Sequence, residues 1–280
     1  MSAIMDVVAV DDGRLARFAE FLSRMTPARA AQDIEKSYRY PWLAEKPNYG
    51  YMLVEADNVC GVLGAIYSER DIRGAAHRFC NLADWYVQPE YRGDSMSLIF
   101  AALSQRGYTF TSVSHTRQVA TVLRALGFKP VAEHALLIPL PVLRSGGGRV
   151  TEVTNSLARQ LDDSDRRIFE DLAVRAGCSH LWLEAGADSC YCVLRTVERR
   201  RIRFVVPLYV SNPAVFRRAL PVLRQWILAR LGVQLMLSDA RWCSPAPLIS
   251  IRLRDPRPLL FRSRSLPAGD IDALYSELTL

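Results

Sequence analysis

The sequence predicts an α/β (α+β) protein built from two tandem halves of similar design. Three observations carry that reading. Residues 82–106 run as an apolar strand, a small polar loop and a helix. The first 140 residues alternate strand and helix signals in the order β-α-α-β-β-β-α-β-α-β. A glycine-rich stretch, Ser145-Gly146-Gly147-Gly148, then precedes a weaker replay of the same pattern. These divide the chain into 1–144, a linker at 145–150, and a second half at 151–280.

Val7 to Val10 reads as a first strand. Asp12-Gly13 opens a helix to about Met25, with Leu15, Phe18, Leu22 and Met25 at helical spacing. A second helix, Ala28 to Tyr38, stops before Pro41 and leaves an aromatic loop, Arg39-Tyr40-Pro41-Trp42. Pro47-Asn48-Tyr49-Gly50 is turn chemistry, and Tyr51–Glu55 with Val59–Ser68 forms a hairpin across Ala56-Asp57-Asn58. After the turn Arg73-Gly74-Ala75, Arg78 to Val87 is the next strand. A helix at Met96–Arg106, a strand at Tyr108–Ser114 and a helix at Arg117–Leu126, capped by Gly127, follow. Phe128 and Leu136–Leu140 begin the closing strands.

In the second half, Leu161–Ala176 is amphipathic and Leu181–Glu184 is strand-like. Cys190–Glu198 and Ile202–Val210 pair around the tip Arg199-Arg200-Arg201. Leu208-Tyr209-Val210-Ser211-Asn212-Pro213 echoes Trp85-Tyr86-Val87-Gln88-Pro89. Val215–Leu231 is a helix ended by Gly232, and Val233–Ser238, Ile249–Leu253 and Leu259–Phe261 are strands. Gly269-Asp270 opens a terminal helix.

The stretch Asp84-Trp-Tyr-Val-Gln-Pro-Glu-Tyr-Arg-Gly-Asp-Ser-Met-Ser-Leu98 organises the rest. Pro89 cannot donate to a ladder and stops the strand. A strand feeding a tight loop at a helix start presents free backbone N–H groups at a positive helix terminus, and that arrangement binds phosphate. Val87-x-Pro89-Glu90-Tyr91-Arg92-Gly93 before a helix resembles the acyl-CoA-binding segment of the GNAT superfamily of N-acyltransferases. Leu126-Gly127-Phe128 resembles that family's L-G-F signature, and the element order of residues 1–140 is the one GNAT domains use. Ser95 and Ser97 stand where the family usually has small glycines. The second half carries no Arg-Gly after Val210 and resembles a degenerate copy.

The resemblance implies a mixed, mostly antiparallel sheet flanked by helices, twice over. It implies acetyl-CoA or another acyl-CoA as cosubstrate and direct attack on the thioester by an amine or hydroxyl acceptor. Neighbouring strands would part after Val87, and the freed N–H groups would hold the thioester carbonyl. Tyr86, Val87, Arg92, Gly93, Asp94, Ser95, Met96 and Ser97 are the expected acyl-CoA contacts. A base is needed because an amine is mostly ammonium at neutral pH. Asp84 is the first candidate, with Glu69 and His115 as competitors; pairing with an arginine such as Arg78 is the alternative role for Asp84. The family's helix tyrosine, an acid for the leaving thiolate, is replaced by Leu123, and its usual asparagine by Thr116. The acceptor site is expected beside the parted strands, partly built by the aromatic loop.

Composition sets the remaining bounds. Half the residues are hydrophobic and 23% charged, normal for a globular core. No apolar run approaches the roughly 20 residues of a membrane span. Met1–Val10 lacks a basic flank, so no signal peptide is expected and a cytoplasmic location is the default. The six cysteines form no C-x-x-C pair or metal spacing, so no metal is expected. The net charge of +7 suits an anionic cosubstrate. Aromatic interleaving is missing around the arginine cluster, which argues against nucleic acid. Two functions stay open at this point: an acyl-CoA-dependent acyltransferase, or a GNAT-like binding or assembly protein without activity. Homodimerisation stays open too.

Overall fold

Two seven-stranded sheets lie side by side in the computed structural model, which describes residues 5–141, 147–173, 177–199, 201–247, 249–254 and 258–279. The first half supplies β1 (Met5–Ala9), α1 (Leu15–Met25), α2 (Ala31–Tyr38), β2 (Gly50–Glu55), β3 (Asn58–Ile72) and β4 (Ala75–Val87). It continues with α3 (Ser95–Leu103), β5 (Tyr108–Ser112), α4 (Arg117–Ala125), β6 (Lys129–Pro130) and β7 (His134–Pro139). The second half adds β8 (Arg149–Glu152), α5 (Asn155–Ala158), α6 (Asp163–Leu172), β9 (Cys178–Ala185), β10 (Asp188–Arg199) and β11 (Ile202–Val210). It ends with α7 (Pro213–Leu231), β12 (Leu235–Asp239), β13 (Ile251–Arg254) and β14 (Leu260–Arg262).

Local chemistry accounts for the boundaries. The β2–β3 hairpin turns on Ala56 and Asp57, both at positive φ (42° and 72°), matching the right-handed twist of the strands. Asn212 caps α7 by accepting from the Ala214 and Val215 N–H groups, Pro213 fits its first turn, and Gly232 closes it at φ 62°. Arg201 takes φ 64° at the tip of the β10–β11 hairpin, exposed as expected.

Both sheets are mostly antiparallel, with one parallel pair each, β4–β5 and β11–β12, joined through a helix. Each also has a register shift in the ladder before that pair, at Val62/Gly64 and at Val193/Leu194. The second sheet thus repeats the design of the first. The closing strands, however, are exchanged. The first sheet runs β1-β2-β3-β4-β5-β14-β6, and the second β13-β7-β12-β11-β10-β9-β8. Strand β7 therefore pairs with β12 and β13, while β14 pairs with β5 and β6. The expectation that each half closes its own sheet is overturned. The hydrophobic pattern of a short strand states which faces are buried, not which sheet buries them.

Apolar clusters hold these layers. α3 and α4 cover one face of the first sheet through Leu98, Ile99, Ala120 and Leu123, and α7 covers one face of the second through Phe216, Leu220 and Leu223. Between the sheets, Phe18, Leu22 and Tyr38 pack in one cluster with Ile168, Phe169, Tyr191 and Leu208. The halves therefore share a core.

The terminal helix expected at Gly269-Asp270 is a single 3₁₀ turn, Ala268–Asp270. Beyond it, Asp272 Oδ1 accepts from the Leu274 N–H and Ser276 Oγ from the Leu278 N–H. Such local bonds compete with helix formation. The segment runs between the halves, where Arg70 binds Asp272 and the Tyr275 hydroxyl donates to Asp171. Of the residues named from the sequence, Met1, Ser145, Gly146, Ala176 and Arg200 lie outside the described residues.

Candidate functional site

Strand β4 makes the site by running farther than its neighbour. The parallel ladder to β5 extends from Arg78–Tyr108 to Asn81–Thr111 and stops, while β4 continues to Val87 against β3. From Leu82 onward, the β4 edge facing β5 has no ladder partner. The strands thus part six residues earlier than the sequence suggested. The opening is a cleft of about 110 Å³, lined by residues including Leu82, Asp84, Tyr86, His115 and Leu123.

Asp84 sits at the β3–β4 register shift with φ 48°, a left-handed backbone unusual for a residue with a Cβ. Its carboxylate accepts from Arg29 Nη1 at 3.1 Å and from the Tyr38 hydroxyl at 2.9 Å. The arginine partner is therefore Arg29 from the loop before α2, not Arg78, whose guanidinium lies over the Tyr108 ring. Tyr38 reaches Asp84 by crossing Gly64, where an added Cβ would collide with the phenol oxygen. His115, just past β5, is buried on the same cleft. Glu69 is not brought to it. That residue pairs opposite Arg78 and faces Leu43, Lys46 and Tyr108.

A further group, not singled out from the sequence, borders the cleft through Ser114. Glu277 accepts from the Asn81 side-chain amide at 2.5 Å and from the Ser114 backbone N–H at 2.7 Å. Asn81 is the last β4 residue on the β5 ladder, and Ser114 lies just beyond β5. The carboxylate thus bridges the two arms where they diverge. Burial pushes its pKa above its ordinary value, against the opposing pull of the Ser114 and Asn81 bonds. Nearby, burial and the Asp84 charge drive the Tyr38 phenol well above its ordinary value, with Glu277 adding to the rise. Only one signal could have pointed to Glu277: a lone acid among Leu274, Tyr275 and Leu278.

The expected phosphate loop is a helical turn. Pro89–Asp94 forms a 3₁₀ helix running directly into α3, and the Ser95 N–H donates to the Arg92 carbonyl. The Ser95 hydroxyl donates to that same carbonyl at 2.7 Å, and the Ser97 hydroxyl to the Asp94 carbonyl at 2.6 Å. Pro89 favours the helical φ, and serine hydroxyls folded onto carbonyls three residues back tighten the turn where glycines would leave it open. Arg92, Gly93 and Asp94 are exposed, and a Cβ built on Gly93 meets nothing within 4 Å. Met96 packs against the α3 core cluster. Tyr86 is half-buried on the cleft, and Val87 closes on Gly61, where an added Cβ would lie 2.8 Å from its side chain.

The aromatic loop packs inward. Tyr40 and Trp42 stack at 4.3 Å, Tyr40 accepts from the Tyr67 N–H, and Trp42 meets Tyr275. In α4, Thr116 serves as the N-cap, accepting from the Val119 N–H, and Leu123 is buried and carries no proton to give a leaving group. Among the described residues no group of three or more His, Cys, Asp or Glu side chains could hold a metal ion, and no helix is long and apolar enough to cross a membrane.

No protein-family model and no curated protein matches the sequence. Solved structures do match in fold. A GCN5-related N-acetyltransferase from Anabaena variabilis superposes with a TM-score of 0.60 at 12% identity, over 92% of this chain and 72% of that one. One from Kribbella flavida gives 0.59 at 13%, over 96% and 73%. The Saccharomyces cerevisiae N-myristoyltransferase with bound myristoyl-CoA gives 0.50 at 8%, over 98% and 84%. The chain has the GNAT fold, and the motifs at Val87–Gly93 and Leu126–Phe128 pointed to it.

Proposed function

We propose that this protein is an acyltransferase that moves an acetyl or longer acyl group from acyl-CoA to an amine in the cleft between β4 and β5. One observation carries the reading: a half-buried carboxylate, Glu277, spans the point where two parallel strands part beside an unpaired strand edge. The acyl-pantetheine arm fits that gap, since the N–H groups of a strand edge can pair with its amides and hold a thioester carbonyl. The diphosphate fits less well, because the turn at Pro89–Asp94 uses amides an open loop would offer; exposed Arg92 remains to meet it.

Glu277 takes the proton from the incoming ammonium. Its raised pKa makes it a stronger base than an exposed glutamate, closer to the operating pH. The nitrogen then bonds to the carbonyl carbon, and the carbon–sulfur bond breaks. The thiolate leaves and, directly or through water, takes the second proton that the nitrogen sheds as the amide forms, a tolerable path because a thiol pKa is only about 8.5. Asp84, held by Arg29 and Tyr38, fixes the bulge that turns the β4 edge toward the cleft. His115 lines the same space.

A second reading, a GNAT-like binding or assembly protein without activity, draws on the helical turn at Pro89–Asp94 and on Leu123 in the family's tyrosine position. Isothermal titration with acetyl-CoA and with a longer acyl-CoA separates the two. Binding of either by the wild-type protein is expected. Glu277→Gln should keep that affinity and lose about 10²–10⁴ in thiol-release rate with an amine acceptor. No heat from either thioester would overturn the acyltransferase reading. Gly93→Trp, at an open surface position, should retain the fold and abolish acyl-CoA binding; unchanged affinity would show that the diphosphate lies elsewhere.

A further inference from the structure

A second cavity lies directly behind the cleft. It measures about 140 Å³ and opens between the second sheet and the segment that carries Glu277. Half-buried apolar side chains converge on it: Val113, Phe204, Val206, Leu237, Trp242 and Leu278. Two short stretches of backbone divide it from the cleft. Ser112 and Ser114 line the cleft while Val113, between them, lines this pocket. Glu277 is bonded to the Ser114 N–H, and the next residue, Leu278, lines the pocket.

Charge decides what can occupy it. Asp239, Asp272 and Arg241 also line the pocket, but Asp272 is bonded to Arg70, and Arg241 is held by Asp239 and by the Ala268 and Ile271 carbonyls. The donors on Glu277 are neutral, an amide side chain and a backbone N–H. An acyl chain crossing from the cleft would pass a carboxylate with nothing to offer it, whereas an ammonium group would gain a charge-assisted hydrogen bond. The volume falls below the roughly 300–1,000 Å³ of pockets for drug-sized ligands and suits one ring or a short alkyl chain.

We propose that this pocket holds the apolar body of a small primary amine whose ammonium group docks on Glu277, and that such amines are the acceptors. The inference rests on the acyltransferase reading for the word acceptor, but amine binding is measurable without any thioester.

The test is titration of the wild-type protein with 2-phenylethylamine, with 3-phenylpropionate and with ethanolamine. The first should bind at least about tenfold more tightly than the second, which reverses the charge, and than the third, which lacks the ring. Leu237→Trp, which fills the pocket from β12, should weaken 2-phenylethylamine by a similar factor and leave acyl-CoA affinity unchanged. Equal or tighter binding of the carboxylate, or no binding of 2-phenylethylamine, would overturn the proposal, as would unchanged affinity in a folded Leu237→Trp. If acyl-CoA binds and the amine does not, this inference alone fails. If the amine binds and no acyl-CoA does, the pocket stands and the transferase reading falls.

Discussion

Replacing Arg70 by methionine should destabilise the protein by about 3–5 kcal/mol, the usual cost of leaving one member of a buried ion pair without its partner. Arg70 Nη1 lies 2.7 Å from both Asp272 oxygens, and both side chains are only 9% exposed. Methionine keeps an unbranched stem, so packing between Phe79 and Tyr209, over which the guanidinium lies, is largely retained. What is lost is the charge. At roughly 2.1 cal/mol/K per residue of unfolding entropy, 280 residues give ~0.6 kcal/mol/K, so the midpoint should drop by ~5–8 °C. Thermal unfolding followed by circular dichroism measures this. Arg70→Met with Asp272→Leu should recover most of the loss, because two apolar groups replace a desolvated pair. A single-variant shift under about 1 °C, or a double variant as unstable as the two singles summed, would refute the reasoning.

Gly64→Ala should cost about 1–3 kcal/mol, since its Cβ must displace the Tyr38 phenol or the strand. Adding Tyr38→Phe should relieve part of that loss, as double-mutant denaturation would show. His180, packed against Phe169 and Tyr191, is held down to about 4 by burial, so its contribution is complete above 6.5 and is lost as pH falls toward 4. Asp165 is pushed up to about 6 by burial, so its contribution is complete below the unfolded value of 3.8 and is lost as pH rises through 6. The two oppose each other, and wild-type stability should change little between pH 4 and 6. Asp165→Asn should expose the His180 limb as a fall in urea midpoint with falling pH over that window, and a flat profile in that variant would count against the assignment.

Much of the fold was legible because its signals are local. The Ala56-Asp57 hairpin, the Gly127 and Gly232 helix ends and the Pro89 strand stop each follow from a few adjacent residues whose backbone preferences act alone. Asp84 and His115 were legible as cleft residues because each ends or bends a strand of the parallel pair. The state of residues 89–97 was not. A glycine-poor loop and a helical turn share the same composition, and the Ser95 and Ser97 hydroxyls favoured the turn by bonding back to carbonyls.

Periodicity and turn chemistry, which need no distant partner, were enough to place the strand that ends at Val87 and the helices on either side. Tertiary structure alone decided that β7 and β14 change places between sheets and that Glu277 meets Asn81 and Ser114 across 196 and 163 residues of chain. Those contacts depend on where two sheets come to rest around a shared core. No window of neighbouring residues encodes that position.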